Sequence, residues 1–334
     1  MRRLLRVLSL AAVSLIVLVA ALWAALTIHY GPDGPTPLRS SVAVVFVAGF
    51  ALAFVLLRQR RRVLVVFSGA WLVVALWSAS FEPSNDRDWC DEHRRIASVE
   101  QRGDRCTIHG VRSSIHHADG TSTHRWVDRE IDLAAARDVD LVLVYWDGNR
   151  SIAHMMLSFG FDAGPRLVLS VETRREADET YSAVAGFFKQ FELCYVLADE
   201  SDALYLRSHV RGEDVHVFPA IASREQVRWL LELVLRRVQR LSEQPVFYDA
   251  LFENCTTSLL ALEAEAGEAP VFDWRYVANG WLDQLLYERG TLVADVTQGL
   301  SYERMHATHL VDPAAIPSRE GYGEAMRASL PPRR

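Results

Sequence analysis

Two short stretches carry side chains suited to chemistry: Asn149-Arg150-Ser151-Ile152-Ala153-His154 and Glu253-Asn254-Cys255-Thr256-Thr257-Ser258. Cys255 stands where an apolar helical pattern with Leu259, Leu260 and Leu262 begins. A thiol in the first turn of a helix meets the partial positive charge and unpaired N–H groups of the helix terminus, which favour thiolate over thiol. The same N–H groups can hold a developing oxyanion, and a histidine completes a nucleophilic pair. His154 is the histidine best placed for this, because it opens an apolar run ending at Phe161 and a strand would hold its ring. A three-residue turn centred on Ala163 would set Glu172 directly across from His154, where cross-strand Cβ atoms lie ~4.5–5.5 Å apart. The carboxylate would then orient the imidazole as the third member of a triad. The plain alternatives are a satisfied strand histidine and a cysteine that only packs.

The elements that must position these groups follow from periodicity. Residues 141–146, 151–161 and 166–173 read as strands, with Asp162-Ala163-Gly164-Pro165 as the turn between the last two. Residues 176–191 have helical spacing of Tyr181, Val184, Phe187, Phe188 and Phe191. Strand character returns at 193–197, 203–209 and 215–219. Ser223 with Gln226 forms a capping box ahead of Val227, Leu230, Leu231, Val234, Val238 and Leu241, and Pro245 ends that helix. With no repeat, the exported part reads as one α+β domain.

Ahead of it lie three apolar runs, 4–26, 41–57 and 63–78, free of charged side chains but for Arg6 near the start of the first, each near the ~17–25 residues that a spanning helix needs. Arg2, Arg3 and Arg6 cluster at the start of the first, and Arg58, Arg60, Arg61 and Arg62 fill the turn between the second and third. Short cytoplasmic loops retain basic residues, so both clusters belong inside and everything after Phe81 belongs outside. A cleaved signal is the alternative for the first run, which is longer than a usual signal core and followed by two more spans. The net charge of −6 over 334 residues brings no basic tract interleaved with aromatics, which argues against a nucleic-acid partner.

Cys90 and Cys106 lie in a polar, His- and Arg-rich stretch after the last span. An oxidising compartment would allow them to pair, for roughly 3 kcal/mol on the chain-entropy model. A zinc site with His93, His109, His116, His117 or His124 is the other reading, but no ligand spacing is recognisable, so neither metal nor cofactor is expected. Cys194, inside the apolar run 193–197, reads as packing.

Residues 145–292 resemble the periplasmic domain of Lnb-type bacterial lipoprotein N-acyltransferases. The resemblance rests on His154 with Ser158-Phe159-Gly160-Phe161, on Asn254-Cys255-Thr256, and on Glu172-Thr173-Arg174, Tyr181-Ser182, the run 191–196, Pro245 with Phe247-Tyr248, and Asp273-Trp274-Arg275. It implies a Cys–His enzyme that takes an acyl chain onto sulfur and passes it to an amine. Cys255 would be the nucleophile and His154 the base, with Glu172 beside them and Asn254, Thr256, Arg174 and Tyr248 in substrate-binding or supporting positions. The order histidine before cysteine is also similar to permuted papain-like enzymes of the NlpC/P60 and lecithin-retinol acyltransferase type, which sets the expected α+β fold. Two departures stand out: Tyr248-Asp249 where the family often has Tyr-Asn, and membrane helices that precede the domain. The resulting expectation is a three-helix anchor over 1–80, a polar linker and domain entry over 81–140, and a catalytic domain over 141–334. The chain would sit in the bacterial inner membrane with its C-terminal domain in the periplasm, acting on a membrane lipid or lipoprotein. A Cys–His amidase or esterase, or a non-catalytic envelope protein, are the competing readings.

Overall fold

The computed structural model describes residues 2–31, 35–117, 119–146, 148–250, 256–257, 273–292 and 300–332. The chain divides into two compact units, one of residues 1–84, 180–192 and 247–249, the other of 85–179, 193–246 and 250–334.

In the first unit the apolar runs form α1 (Arg2–Tyr30), α2 (Thr36–Leu56) and α3 (Arg60–Ala79). All three are long and apolar enough to cross a membrane. Ala24, Ile28, Ala43 and Val74 form their small core, with Trp23, Phe46, Trp71 and Trp77 packed against it. Ile16, Val45, Val55 and Val65 point outward, each between 67% and 76% exposed. Apolar faces that open to their surroundings suit lipid rather than water.

The second unit is built on an eight-stranded sheet. Its strands are β1 (Ser98–Arg102), β2 (Arg105–Arg112), β5 (Trp126–Asp132), β6 (Ala136–Tyr145), β7 (His154–Phe161), β8 (Leu167–Arg174), β9 (Glu192–Ala198) and β10 (Asp214–Pro219). A separate pair is formed by β3 (Ile115–His116) and β4 (Ser122–Thr123). The order is β1-β2-β9-β8-β7-β6-β10, with β5 also on β2. Strands β1, β2 and β5, all from 81–140, are thus part of this sheet. Strands β6, β7 and β8 form a meander in which Leu141 faces Leu157 and Leu157 faces Leu169.

Alternation along these strands splits the core. Val142, Val144, Met156, Val168, Cys194, Val196, Val215 and Val217 pack with Ala203 and Leu204 and with Val311, Ile316, Tyr322 and Met326 from the C-terminal stretch. The helix α5 (Arg224–Glu243) carries the expected capping box of Ser223 and Gln226 and buries Val227, Leu231, Val234, Val238 and Leu241. The sequence reading of mixed α+β architecture with three apolar N-terminal helices therefore stands.

Three expectations differ from the structure. Residues 176–191 form no long helix and contain only the 3-10 turn Ala185–Phe187. The backbone makes separate i→i−3 turns instead, Glu179 N to Glu176 O (3.1 Å), Phe187 N to Val184 O (3.1 Å) and Phe188 N to Ala185 O (2.9 Å), and Lys189 takes a left-handed φ of 57° that a helix does not allow. Residues 203–209 are helical, in α4 (Glu200–Tyr205) and the π turn Leu206–Val210. Ala203 and Leu204 are consecutive and both buried, which suits the inner side of a helix packed on a sheet. Finally, Cys90 and Cys106 are not joined; both are free thiols, as is Cys194. Cys106 is fixed on β2 opposite Gln101 and Ile131, while Cys90 lies against His93.

Candidate functional site

His154 begins β7, paired with Val144 on β6. Met156 faces Ser170 across β7 and β8, so the same register carried two residues further sets His154 level with Glu172. The side chains meet through an intermediary. His154 Nε2 lies 2.7 Å from Ser170 Oγ, and Ser170 Oγ donates to Glu172 Oε1 at 2.7 Å. A hydroxyl has one proton, and an ionised carboxylate can only accept. With that proton spent on Glu172, the serine oxygen accepts from Nε2–H, which assigns the Nε2–H tautomer and leaves Nδ1 as a lone-pair base. Burial and the Arg207 guanidinium push His154 down to about 3, so the ring is neutral at physiological pH.

Glu172 is the hub. Its Oε1 also accepts from Arg207 (3.0 Å), its Oε2 pairs with His93 Nε2 (3.1 Å), and Arg112 lies 3.9 Å away. Burial alone would raise its pKa, but the His93 hydrogen bond and the charges of Arg112 and Arg207 hold it well below the usual carboxylate range. His93, from the 3-10 turn Asp91–His93, places Nδ1 3.4 Å from Cys90 Sγ. Burial opposes charge on this ring, yet its bonds to Cys90 and Glu172 and the charges of Glu172 and Glu92 raise it to about 9. Behind the hub, Arg112 Nε bonds both oxygens of Asp202 (3.2 Å each), which also accepts from Ser114 N (2.7 Å) and pairs with His116 (3.1 Å). Every charge in this interior is thereby paired, as buried charges must be.

The cysteine side of the expected pair is reached through its neighbour. Asn254 and Cys255 lie outside the described residues. Thr256, helical and 2% exposed, is held by Asn279, whose Nδ2 lies 2.9 Å from Thr256 Oγ1. The same carboxamide clamps the backbone before His154: Asn279 Nδ2 donates to Ala153 O (2.8 Å), and Ala153 N donates to Asn279 Oδ1 (2.8 Å). One side chain therefore ties the residue after Cys255 to the residue before His154.

The remaining expected residues have other places. Arg174 is 2% exposed, stacks 4.0 Å over Trp89, and donates to His93 O (3.1 Å) and Asn85 Oδ1 (3.0 Å). It braces the backbone that carries His93. Tyr248 belongs to the first unit, where its N–H donates to Phe191 O (2.9 Å). Ser170, Arg207 and Asn279 escape a reading of the sequence, which names His93 only as a possible zinc ligand. Of these only Ser170 carries a local signal, since in a strand it shares a face with Glu172 two residues on.

Residues 122–280 match the family model of the Lnb N-terminal periplasmic domain. No curated protein and no solved structure matches the chain. The matched segment contains His154, Ser170, Glu172, Cys255, Thr256 and Asn279, and excludes Cys90 and His93.

Proposed function

From the membership of residues 122–280 in the Lnb N-terminal periplasmic domain family, we propose that this chain is a membrane-anchored, thiol-dependent acyltransferase acting on lipid-bearing substrates such as lipoproteins. The observation that carries the reading is the Asn279 clamp between Thr256 and Ala153. It supports a pairing of Cys255 with His154, because each is the immediate chain neighbour of a clamped residue. In this reading His154 Nδ1 takes the thiol proton and Cys255 sulfur attacks an ester carbonyl, with backbone N–H groups at the helix start holding the oxyanion. The alcohol leaves with the proton, an amine then attacks the thioester carbonyl with His154 again as base, and the C–S bond breaks to return the Cys255 thiol with that proton. Glu172 acts through Ser170 to hold the ring. A permuted papain-like arrangement belongs to the same proposal, as do three membrane crossings with the C-terminal unit in the periplasm. The anchor suits the substrate, since it confines the domain to the surface where acyl chains reside.

The test is intact and peptide mass spectrometry of the detergent-solubilised chain incubated with phospholipid. An acyl mass on the Cys255 peptide, removable by neutral hydroxylamine and absent in Cys255→Ala, is the expected result. Acyl label on an added amine supports transfer, whereas label released only as free acid makes the protein a hydrolase. Turnover that persists in Cys255→Ala rules the mechanism out.

A further inference from the structure

We propose that Cys90 is a second reactive thiol, aligned by His93 and Glu172, which accepts acyl groups from carboxylic esters independently of Cys255. The three groups form a line: Cys90 Sγ to His93 Nδ1 at 3.4 Å, then His93 Nε2 to Glu172 Oε2 at 3.1 Å. A thiol on one imidazole nitrogen and a carboxylate on the other is the arrangement of a nucleophile, its base and an orienting acid. Local backbone makes it rigid. Cys90 caps the 3-10 turn Asp91–His93, and with three residues per turn the side chains at i and i+3 eclipse. Cys90 N donates to Arg175 O (3.0 Å), His93 N donates to Cys90 O (3.0 Å), and Arg174 holds His93 O.

Exposure fits the role as well. His93 is 3% exposed, whereas Cys90 is only partly buried. Among the described cysteines it alone touches an imidazole; Cys106 and Cys194 are packed in the sheet, and burial drives the Cys194 thiol up to about 12. In the proposed step Cys90 thiolate bonds to the ester carbonyl carbon, the C–O bond breaks, and the departing alkoxide takes the proton from His93 Nδ1. A thioester and an alcohol result. Glu172 touches neither substrate nor sulfur and is a positioning residue. Glu92 is near enough to Cys90 and His93 for the three to share a cation, but its carboxylate is already paired with the Arg175 guanidinium.

The experiment uses the full chain carrying Cys255→Ser, in detergent with a chelator, so its failure is separate from that of the Cys255 mechanism. Incubation with 4-nitrophenyl butyrate should release nitrophenolate in a burst stoichiometric with protein and leave a butyryl mass on the Cys90 peptide. Iodoacetamide should alkylate Cys90 faster than free cysteine at pH 7. His93→Gln should slow that alkylation by about 10²-fold, and Glu172→Gln should shift its pH profile. Alkylation of the native Cys90 no faster than that of free cysteine would overturn the proposal, and this comparison needs no substitution in the cluster. So would stoichiometric zinc in the protein as isolated that is lost in Cys90→Ser, which would make the group a metal site.

Discussion

His154 and Ser170 meet at 2.7 Å between the imidazole Nε2 and the hydroxyl oxygen, and this contact assigns the free lone pair of the ring to Nδ1. Glu172 hydrogen-bonds to His154 through that hydroxyl, its own oxygens being held by Ser170, Arg207 and His93, and its charge adds a direct coulombic pull on the ring.

Ser170→Ala should therefore behave as a catalytic lesion without a large change in stability. Deleting the hydroxyl frees the ring to rotate and to change tautomer, and turnover should fall by about 10²-fold. In the double variant with His154→Ala the losses should be far from additive, since both substitutions remove one unit. Additive losses would show that Ser170 contributes to packing or substrate binding instead.

The histidines make stability depend on pH in a defined window. His154 is pushed by burial and by Arg207 to about 3, and His216, buried and stacked 4.2 Å from His306, also to about 3. Their unfolded-state value is about 6.5, so between these limits the unfolded chain binds more protons and stability rises with pH. Each group contributes up to ~1.4 kcal/mol per pH unit across that window. Its contribution is complete above the unfolded value and is lost as pH falls toward the folded one. Denaturant midpoints should fall from pH 6.5 to pH 4.5, and His154→Gln should flatten the slope. An unchanged slope would mean that His154 is solvated and titrates normally.

The β6-β7-β8 meander and the α5 capping box were legible because each rests on local pattern: period two, a turn signal, or a cap four residues wide. Even the level placement of His154 and Glu172 follows from counting residues through a turn. The partnership itself did not follow. Glu172 is spoken for by His93 from a loop 79 positions earlier and by Arg207 35 positions later, and no local spacing encodes such contacts. Residues 176–191 misled for another reason: their aromatic spacing is helical, but the backbone breaks into i→i−3 turns and Lys189 turns left-handed at φ 57°.

Orientation can be checked by reporter fusion. The arginines of 58–62 interrupt the apolar sequence between α2 and α3, and basic residues favour the cytoplasmic side. A reporter active only outside the cytoplasm should function when fused after Phe81 and fail when fused at Arg60. The reverse pattern would invert the proposed topology.

Asn279 offers the sharpest separation of site assembly from chemistry, because it bonds Ala153, the residue before His154, and Thr256, the residue after Cys255. Among the described residues, Asn279→Ala removes the buried hydrogen bonds to Ala153 O, from Ala153 N and to Thr256 Oγ1. Leaving those partners unsatisfied should cost roughly 1–3 kcal/mol of stability, which a 334-residue chain can absorb while keeping its circular dichroism. Turnover should fall much further than this loss of stability explains, since a displacement of about 1 Å between nucleophile and base can cost ~10²-fold. Iodoacetamide reactivity of Cys255 should fall in parallel, while that of Cys90 stays at its wild-type rate because Asn279 has no part in the His93 cluster. Equal losses at both thiols would point to general loosening of the unit. Full activity in Asn279→Ala would remove the observation on which the pairing of Cys255 with His154 rests.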